Sequence, residues 1–158
     1  MMAEPEALAR CLYFEDVSEG QTLPALTRRL DLTSMVMYAA ATWDFHRYHY
    51  DDQFAKAAGF SRPMVDGQML GALLAKQVMD WAGHEALLRQ LSYRVRHMVF
   101  PNDTIVSRGS VVEKRPTTGG GVAICELSVL NQDSVQVIKQ AHASVELFRR
   151  PAGTTAKS

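Results

Sequence analysis

The sequence predicts an α+β domain in which a long antiparallel sheet wraps around one central helix. Three observations predict it. Residues 67–82 read GQMLGALLAKQVMDWA, one slender and strongly apolar helical run. Residues 104–114, 122–130 and 135–147 change to β-rich segments, separated by TTGGG and NQDS as turns. No repeat, low-complexity tract or linker divides the 158 residues, a length that suits one domain with its own core.

The elements follow in order. Residues 1–11 read as a loose lead-in, without the basic flank and apolar run of a signal peptide. Leu26, Arg28, Leu30 and Leu32 alternate with Thr27, Arg29 and Asp31, which predicts a strand. Thr33 or Ser34 is expected to cap the helical run MVMYAAAT, because a side-chain oxygen there satisfies a free N–H of the first turn. Asp51 is expected to cap a second short helix, DQFAKAA, which Gly59 ends. Pro63 breaks the loop SRPMVDG, and Asp66 then precedes the long helix. Met69, Leu70, Leu73, Leu74, Val78 and Trp81 recur there at three- and four-residue spacing, while Gly71, Ala72 and Ala75 keep the helix thin enough to be wrapped.

Beyond the stop at Gly83, Leu91, Tyr93, Val95 and His97 alternate with Ser92, Arg94 and Arg96, a further strand before the FPND turn. Val135, Val137, Lys139, Ala141, Ala143, Val145 and Leu147 line one mostly apolar face of the last strand. The domain is expected to span residues 1–148, with 149–158 as a disordered tail. Four or five strands around one helix leave a sheet edge open. A second copy closes it, so a homodimer is expected.

Bulk composition narrows the function classes. Lys plus Arg equals Asp plus Glu at 17 each, which gives no support for nucleic acid as a partner. The apolar helical run contains Lys76, Gln77 and Asp80, so it reads as a core helix and no membrane span is expected. Cys11 and Cys125 are far apart and in no metal-type spacing, which predicts no disulfide scaffold and a reducing, cytoplasmic setting.

The chemistry concentrates in TWDFHRYHYD, residues 42–51, where two carboxylates and two imidazoles fall between Asp44 and Asp51. Asp44, His46, His49 and Asp51 are acceptable metal ligands, but their spacing matches no metal motif, and no metal is expected. A bland alternative makes Asp51 a helix cap, Arg47 the partner of a nearby carboxylate, and Trp43, Tyr48 and Tyr50 packing residues. The catalytic alternative pairs Asp44 with His49. A carboxylate and an imidazole can hold one water between them, and histidine, with an ordinary pKa of ~6.5, exchanges protons near neutral pH. Gly67 opens the long helix after its cap, where a free backbone N–H backed by the helix dipole can receive a developing oxyanion.

From about Leu12 to Leu147 the chain resembles the MaoC-like (R)-specific enoyl-CoA hydratases and dehydratases of the hot-dog fold. That family's loop reads Gly-Asp-x-Asn-Pro-x-His-x-Asp, then Phe-Ala-x-x-x-Gly-Phe, then His-Gly at the start of the central helix. The corresponding residues are Trp43-Asp44-Phe45-His46-Arg47-Tyr48-His49-Tyr50-Asp51, then Phe54-Ala55-Lys56-Ala57-Ala58-Gly59-Phe60, then Asp66-Gly67. Phe100-Pro101-Asn102-Asp103 stands where the family has Phe-Pro-Gly-Asp.

The resemblance implies a dimerised hot-dog fold and reversible syn hydration of a trans-2-enoyl-CoA, without a cofactor. It implies Asp44 and His49 as the water-activating pair and the Gly67 N–H as the group that polarises the thioester carbonyl. His46-Arg47 in place of Asn-Pro, and the Tyr-Asp that follows His49, resemble the mesaconyl-CoA hydratase and hydroxyacyl-thioester dehydratase type 2 subgroup, which tends to carry Asn at the position of Asp44. His46, Arg47, Trp43 and Asp66 depart from the common pattern and are the candidate substrate-binding residues. Arg47 is expected to pair with a carboxylate or phosphate of the substrate. Lys56, Arg62, Arg94 and Arg96 are candidate partners for the phosphates of coenzyme A, and His84, His97 and His142 are expected to be structural. A non-catalytic or half-active subunit of a heteromeric hydratase, or an acyl-CoA thioesterase, is the alternative, since one fold hosts several activities.

Overall fold

The structure, a computed structural model, describes residues 11–152. Five strands, β1 (Thr22–Arg29), β2 (Leu87–Ser92), β3 (Thr104–Thr117), β4 (Gly120–Asn131) and β5 (Gln136–Phe148), form one sheet in the order β1-β3-β4-β5-β2. Every pairing is antiparallel. Helices α1 (Leu32–Thr42), α2 (Asp52–Ala57) and α3 (Gly67–Ala82) occupy the connections. The sheet wraps α3, as the hot-dog resemblance implies.

Helix α3 buries Met69, Leu70, Leu74, Val78 and Trp81 of the stripe its spacing predicts, with Ala82 beside them, and leaves Leu73 half-buried. The same buried core holds Ile105 and Val111 of β3, Leu127 and Val129 of β4, and Ala141, Ala143, Val145 and Leu147 of β5. Lys76 and Asp80 pair across one turn on the exposed side. Gln77 is the exception, a polar side chain inside the core. Its Nε2 donates to the carbonyls of Pro24 (2.9 Å) and Ser107 (3.2 Å), and the Ser107 hydroxyl donates to its Oε1 (2.5 Å). The Pro24 carbonyl is available because a register shift between Leu23 and Leu26 breaks the β1 ladder there. The polar clip is fully paired and ties the middle of α3 to two strands.

Three local expectations are corrected. Helix α1 is capped by Asp31, not by Thr33 or Ser34: the carboxylate accepts from the Ser34 N–H at 2.8 Å and from its hydroxyl at 2.6 Å. A carboxylate is the stronger acceptor, so the serine becomes a donor and the helix starts earlier. The strand expected over residues 91–97 runs instead over Leu87–Ser92, and Val95 keeps only an isolated bridge to Ile138. The chain leaves the sheet after Ser92 because Tyr93 turns onto α3, where its hydroxyl reaches the Gly67 carbonyl. On β5 a ladder irregularity beside Val129 puts Val137 and Ile138 inside together and Lys139 outside, so strict alternation fails there.

Residues 149–152 continue past β5. Arg149 pairs with Glu15, and Arg150 pairs with Asp16 while lying over the Tyr13 ring. Residues 1–10 of the expected lead-in and 153–158 of the expected tail lie outside the described residues.

Candidate active site

The TWDFHRYHYD loop is shaped by its own polar groups. Helix α1 ends at Trp43, which takes a left-handed conformation at φ 59° and turns the chain toward Asp44. The Asp44 carboxylate accepts from the His46 N–H at 3.2 Å, and the Tyr50 hydroxyl donates to the Phe45 carbonyl at 2.8 Å. Residues Arg47–His49 form a single 3-10 turn. Asp51 caps α2 as expected, accepting from the Phe54 N–H at 2.9 Å. Its second oxygen takes Nε and Nη2 of Arg47 at 3.0 and 2.7 Å. These bonds, the Phe54 N–H first and Arg47 second, hold the Asp51 carboxyl below its usual pKa.

The segment before α3 docks onto this loop. The Met64 N–H donates to the Tyr48 carbonyl at 3.0 Å, and the Met64 carbonyl lies 2.8 Å from His49 Nδ1. Val65 N–H donates to the Val99 carbonyl at 2.8 Å. Asp66 is thereby delivered beside the loop, where it caps α3 through the Gln68 N–H at 2.8 Å. Asp44, His49 and Asp66 each present a polar atom within 4.8 Å of the other two.

The three residues border a narrow cleft whose other walls are Met35, Tyr38, Ala39 and Met69. Met35, Tyr38 and Ala39 stand at helical spacing on α1, so one face of that helix closes the site. Tyr38 is raised above its ordinary pKa by burial first, then by Asp66, Tyr93 and Asp44. The Met64 carbonyl can only accept. The neutral imidazole of His49 therefore carries its proton on Nδ1 and leaves Nε2 as a base.

The expected site residues separate into groups. Asp44, His49 and Asp66 come together at the cleft. Gly67 lies between Asp66 and Met69 at the first position of α3, and among the described residues its N–H meets no acceptor. His46 stacks on Tyr48 with ring centroids 4.4 Å apart, outside the cleft. Arg47 is engaged by Asp51 and lies 4.5 Å above the Phe54 ring. Trp43 is 85% exposed and touches Phe45 edge-on. Among the coenzyme candidates, Lys56 pairs with Asp52 and Arg62 lies over Phe100, while Arg94 and Arg96 are exposed beyond β2.

Among the described residues, two trios could hold a cation by proximity. One is Asp44, His49 and Asp66. The other is Cys11, His84 and Glu85, near the far end of α3. The 16 residues of α3 separate the two by about 24 Å.

A family profile described as "MaoC like domain" matches residues 16–131. The chain belongs to the MaoC-like domain family. A relative from Mycobacterium tuberculosis, the 3-oxo-4,17-pregnadiene-20-carboxyl-CoA hydratase beta subunit, is 34% identical over 92 residues, covering 58% of this chain and 71% of the relative. The (R)-specific enoyl-CoA hydratase of Aeromonas caviae is 29% identical over 114 residues, covering 63% of this chain and 84% of that protein. The solved structure of an (R)-hydratase from A. caviae involved in PHA biosynthesis superposes with a TM-score of 0.75 at 23% identity, over 84% of this chain and 98% of that one. This MaoC-like chain thus has the fold and the family expected from its loop. Among the described residues, no helix is long and apolar enough to cross a membrane.

Proposed function

We propose that this MaoC-like chain adds water reversibly to a trans-2-enoyl thioester of coenzyme A, giving the (R)-3-hydroxyacyl thioester. The observation that carries this reading is the meeting of the Asp44 carboxylate and the His49 imidazole at one narrow cleft beside the N-terminus of α3. Water binds between Asp44 and His49 Nε2. The pair removes one proton from it as its oxygen bonds to C3, and returns one proton to C2 on the same face. Negative charge develops on the thioester oxygen during the addition, and the Gly67 N–H, with the positive end of the α3 dipole behind it, receives that charge. No atom is left over, so no oxidant or cofactor enters the balance.

Asp66 lines the cleft and shapes the acyl site, while Trp43 and His46 meet the thioester arm outside it. Arg47, whose Nε and Nη2 hold Asp51, meets a substrate phosphate or carboxylate through the exposed side of its guanidinium. A homodimer forms through β2, an edge strand that pairs only with β5 and is followed by exposed Val95 and Met98.

The test is loss of the conjugated-enoyl absorbance of crotonyl-CoA and of longer, branched and dicarboxylic enoyl-CoAs. Wild type is expected to consume at least one of them, and Asp44→Asn none. A folded wild type that consumes none overturns the reading for the chain alone. One observation favours a second reading: the 34% relative is named as a beta subunit. If this chain is also half of a heteromer, the purified chain is silent and turnover appears only on adding its partner. Release of free thiol from acyl-CoA would instead support a thioesterase.

A further inference from the structure

The N-terminal turn of α3 is held by a residue from outside the loop. The peptide between Gly67 and Gln68 is bonded at both ends: Asp66 Oδ1 takes its N–H at 2.8 Å, and the Tyr93 hydroxyl donates to its carbonyl at 3.2 Å. Tyr93 can come this close because the helix has no side chain in the way. A Cβ on Gly71 would lie 2.1 Å from the Tyr93 hydroxyl oxygen and 2.4 Å from its Cζ. One turn earlier, Val95 Cγ2 stands 3.6 Å from where a Cβ of Gly67 would be. The two glycines, four residues apart, thus form a shallow groove along α3 that Tyr93 and Val95 cover.

We propose that Tyr93 is a positioning residue for the oxyanion donor: its hydroxyl fixes the Gly67–Gln68 peptide and thereby the direction of the Gly67 N–H. The inference rests on the role proposed for that N–H. The first turn of a helix has N–H groups without intrahelical partners and frays easily, and a donor must be aimed before charge develops if it is to stabilise the transition state. Tyr93 suits the task chemically as well. Burial, and after it the neighbouring Asp66 carboxylate, raise its phenol above the ordinary tyrosine pKa, so it remains a donor across the working range of pH.

The experiment uses [1-13C]crotonyl-CoA bound to the full chain carrying Asp44→Asn, which halts turnover, and reads the infrared stretch of the labelled thioester carbonyl. With Tyr93 present the stretch is expected to move to lower frequency on binding, and adding Tyr93→Phe is expected to remove part of that shift. In the otherwise wild-type chain, Tyr93→Phe is expected to lower kcat about three- to tenfold, the worth of one hydrogen bond, with KM changed less than about twofold. Gly71→Ala keeps the phenol but displaces it, and is expected to reproduce both losses. An equal infrared shift and equal kcat with and without the hydroxyl would overturn the Tyr93 assignment and leave Gly67 in place. No shift in the bound thioester even with Tyr93 present would overturn the role of Gly67 itself, and the assignment with it.

Discussion

The role given to the Gly67 N–H can be tested by deleting a single hydrogen-bond donor. Gly67→Pro does this with little disturbance because Gly67 is the first residue of α3. Proline is tolerated there: its ring meets no carbonyl four residues back within the helix, and the N–H it removes has no helical partner. The preceding residue must be extended, and Asp66 is, at φ −61° and ψ 130°. The nearest obstacle to a side chain is Val95 Cγ2 at 3.6 Å, an ordinary contact.

Fixing φ in the unfolded chain should raise stability by about 0.4–1 kcal/mol, or a few degrees in Tm at most. Removing one oxyanion donor should lower kcat by about 10²–10³-fold, equivalent to about 2.7–4 kcal/mol. The proline Cδ also occupies space in front of the former N–H, so KM should rise. Both effects require the thioester oxygen to sit at that point. Gly67→Ala, which keeps the N–H, is the control. The assay is enoyl-CoA absorbance beside a thermal melt of the same preparation. A proline variant that melts at or above wild type and turns over as fast as the alanine variant would refute the placement of the carbonyl.

Three further outcomes follow from the structure. Gln77→Leu leaves the Ser107 hydroxyl and the Pro24 carbonyl unpaired beside α3, and should cost roughly 2–4 kcal/mol in urea unfolding; adding Ser107→Ala should recover about 1 kcal/mol of that loss, and simple additivity would contradict the clip. Cys125 is buried, which pushes its thiol up to about 12, so a disulfide reagent at pH 8 should label it only after unfolding; rapid native labelling at Cys125 would contradict its place in the core. Asp51 is held below the ordinary carboxylate value of 3.8, so the stability it contributes is present above that pH and is lost as pH falls through its lowered native value. Asp51→Asn should therefore flatten the acid limb of the stability curve below about pH 4, and an unchanged limb would contradict the hold of the Phe54 N–H and Arg47 on that carboxylate.

What the sequence makes legible depends on the range of the interaction. Caps are local, and Asp51 and Asp66 each bond an N–H two or three residues on, as their spacing requires. The apolar stripe of α3 is equally local. The pairing of Asp44 with His49 needs only one short turn between them, so the loop carries it complete. Asp66 is different. Its approach to that pair depends on Met64 bonding Tyr48 and His49, and on Val65 bonding Val99, contacts without any local pattern. Arg47 is local too: its pairing with a carboxylate four residues away is the sequence's bland alternative for it.

Tyr93 lies furthest from local inference. Alternation assigns it to a strand, and it is instead the residue at which the chain leaves the sheet. Its partners, Gly67 and Gly71, read in the sequence as a permissive helix start and a thin position. Their function as a groove exists only when a phenol from 26 residues downstream fills it. Two independent facts then coincide at one helix turn: the glycine that leaves an N–H accessible is also the one whose carbonyl is held. A helix N-terminus supplies a donor at no conformational expense, but its aim must come from outside the helix, because the first turn lacks the bonds that stiffen every later one.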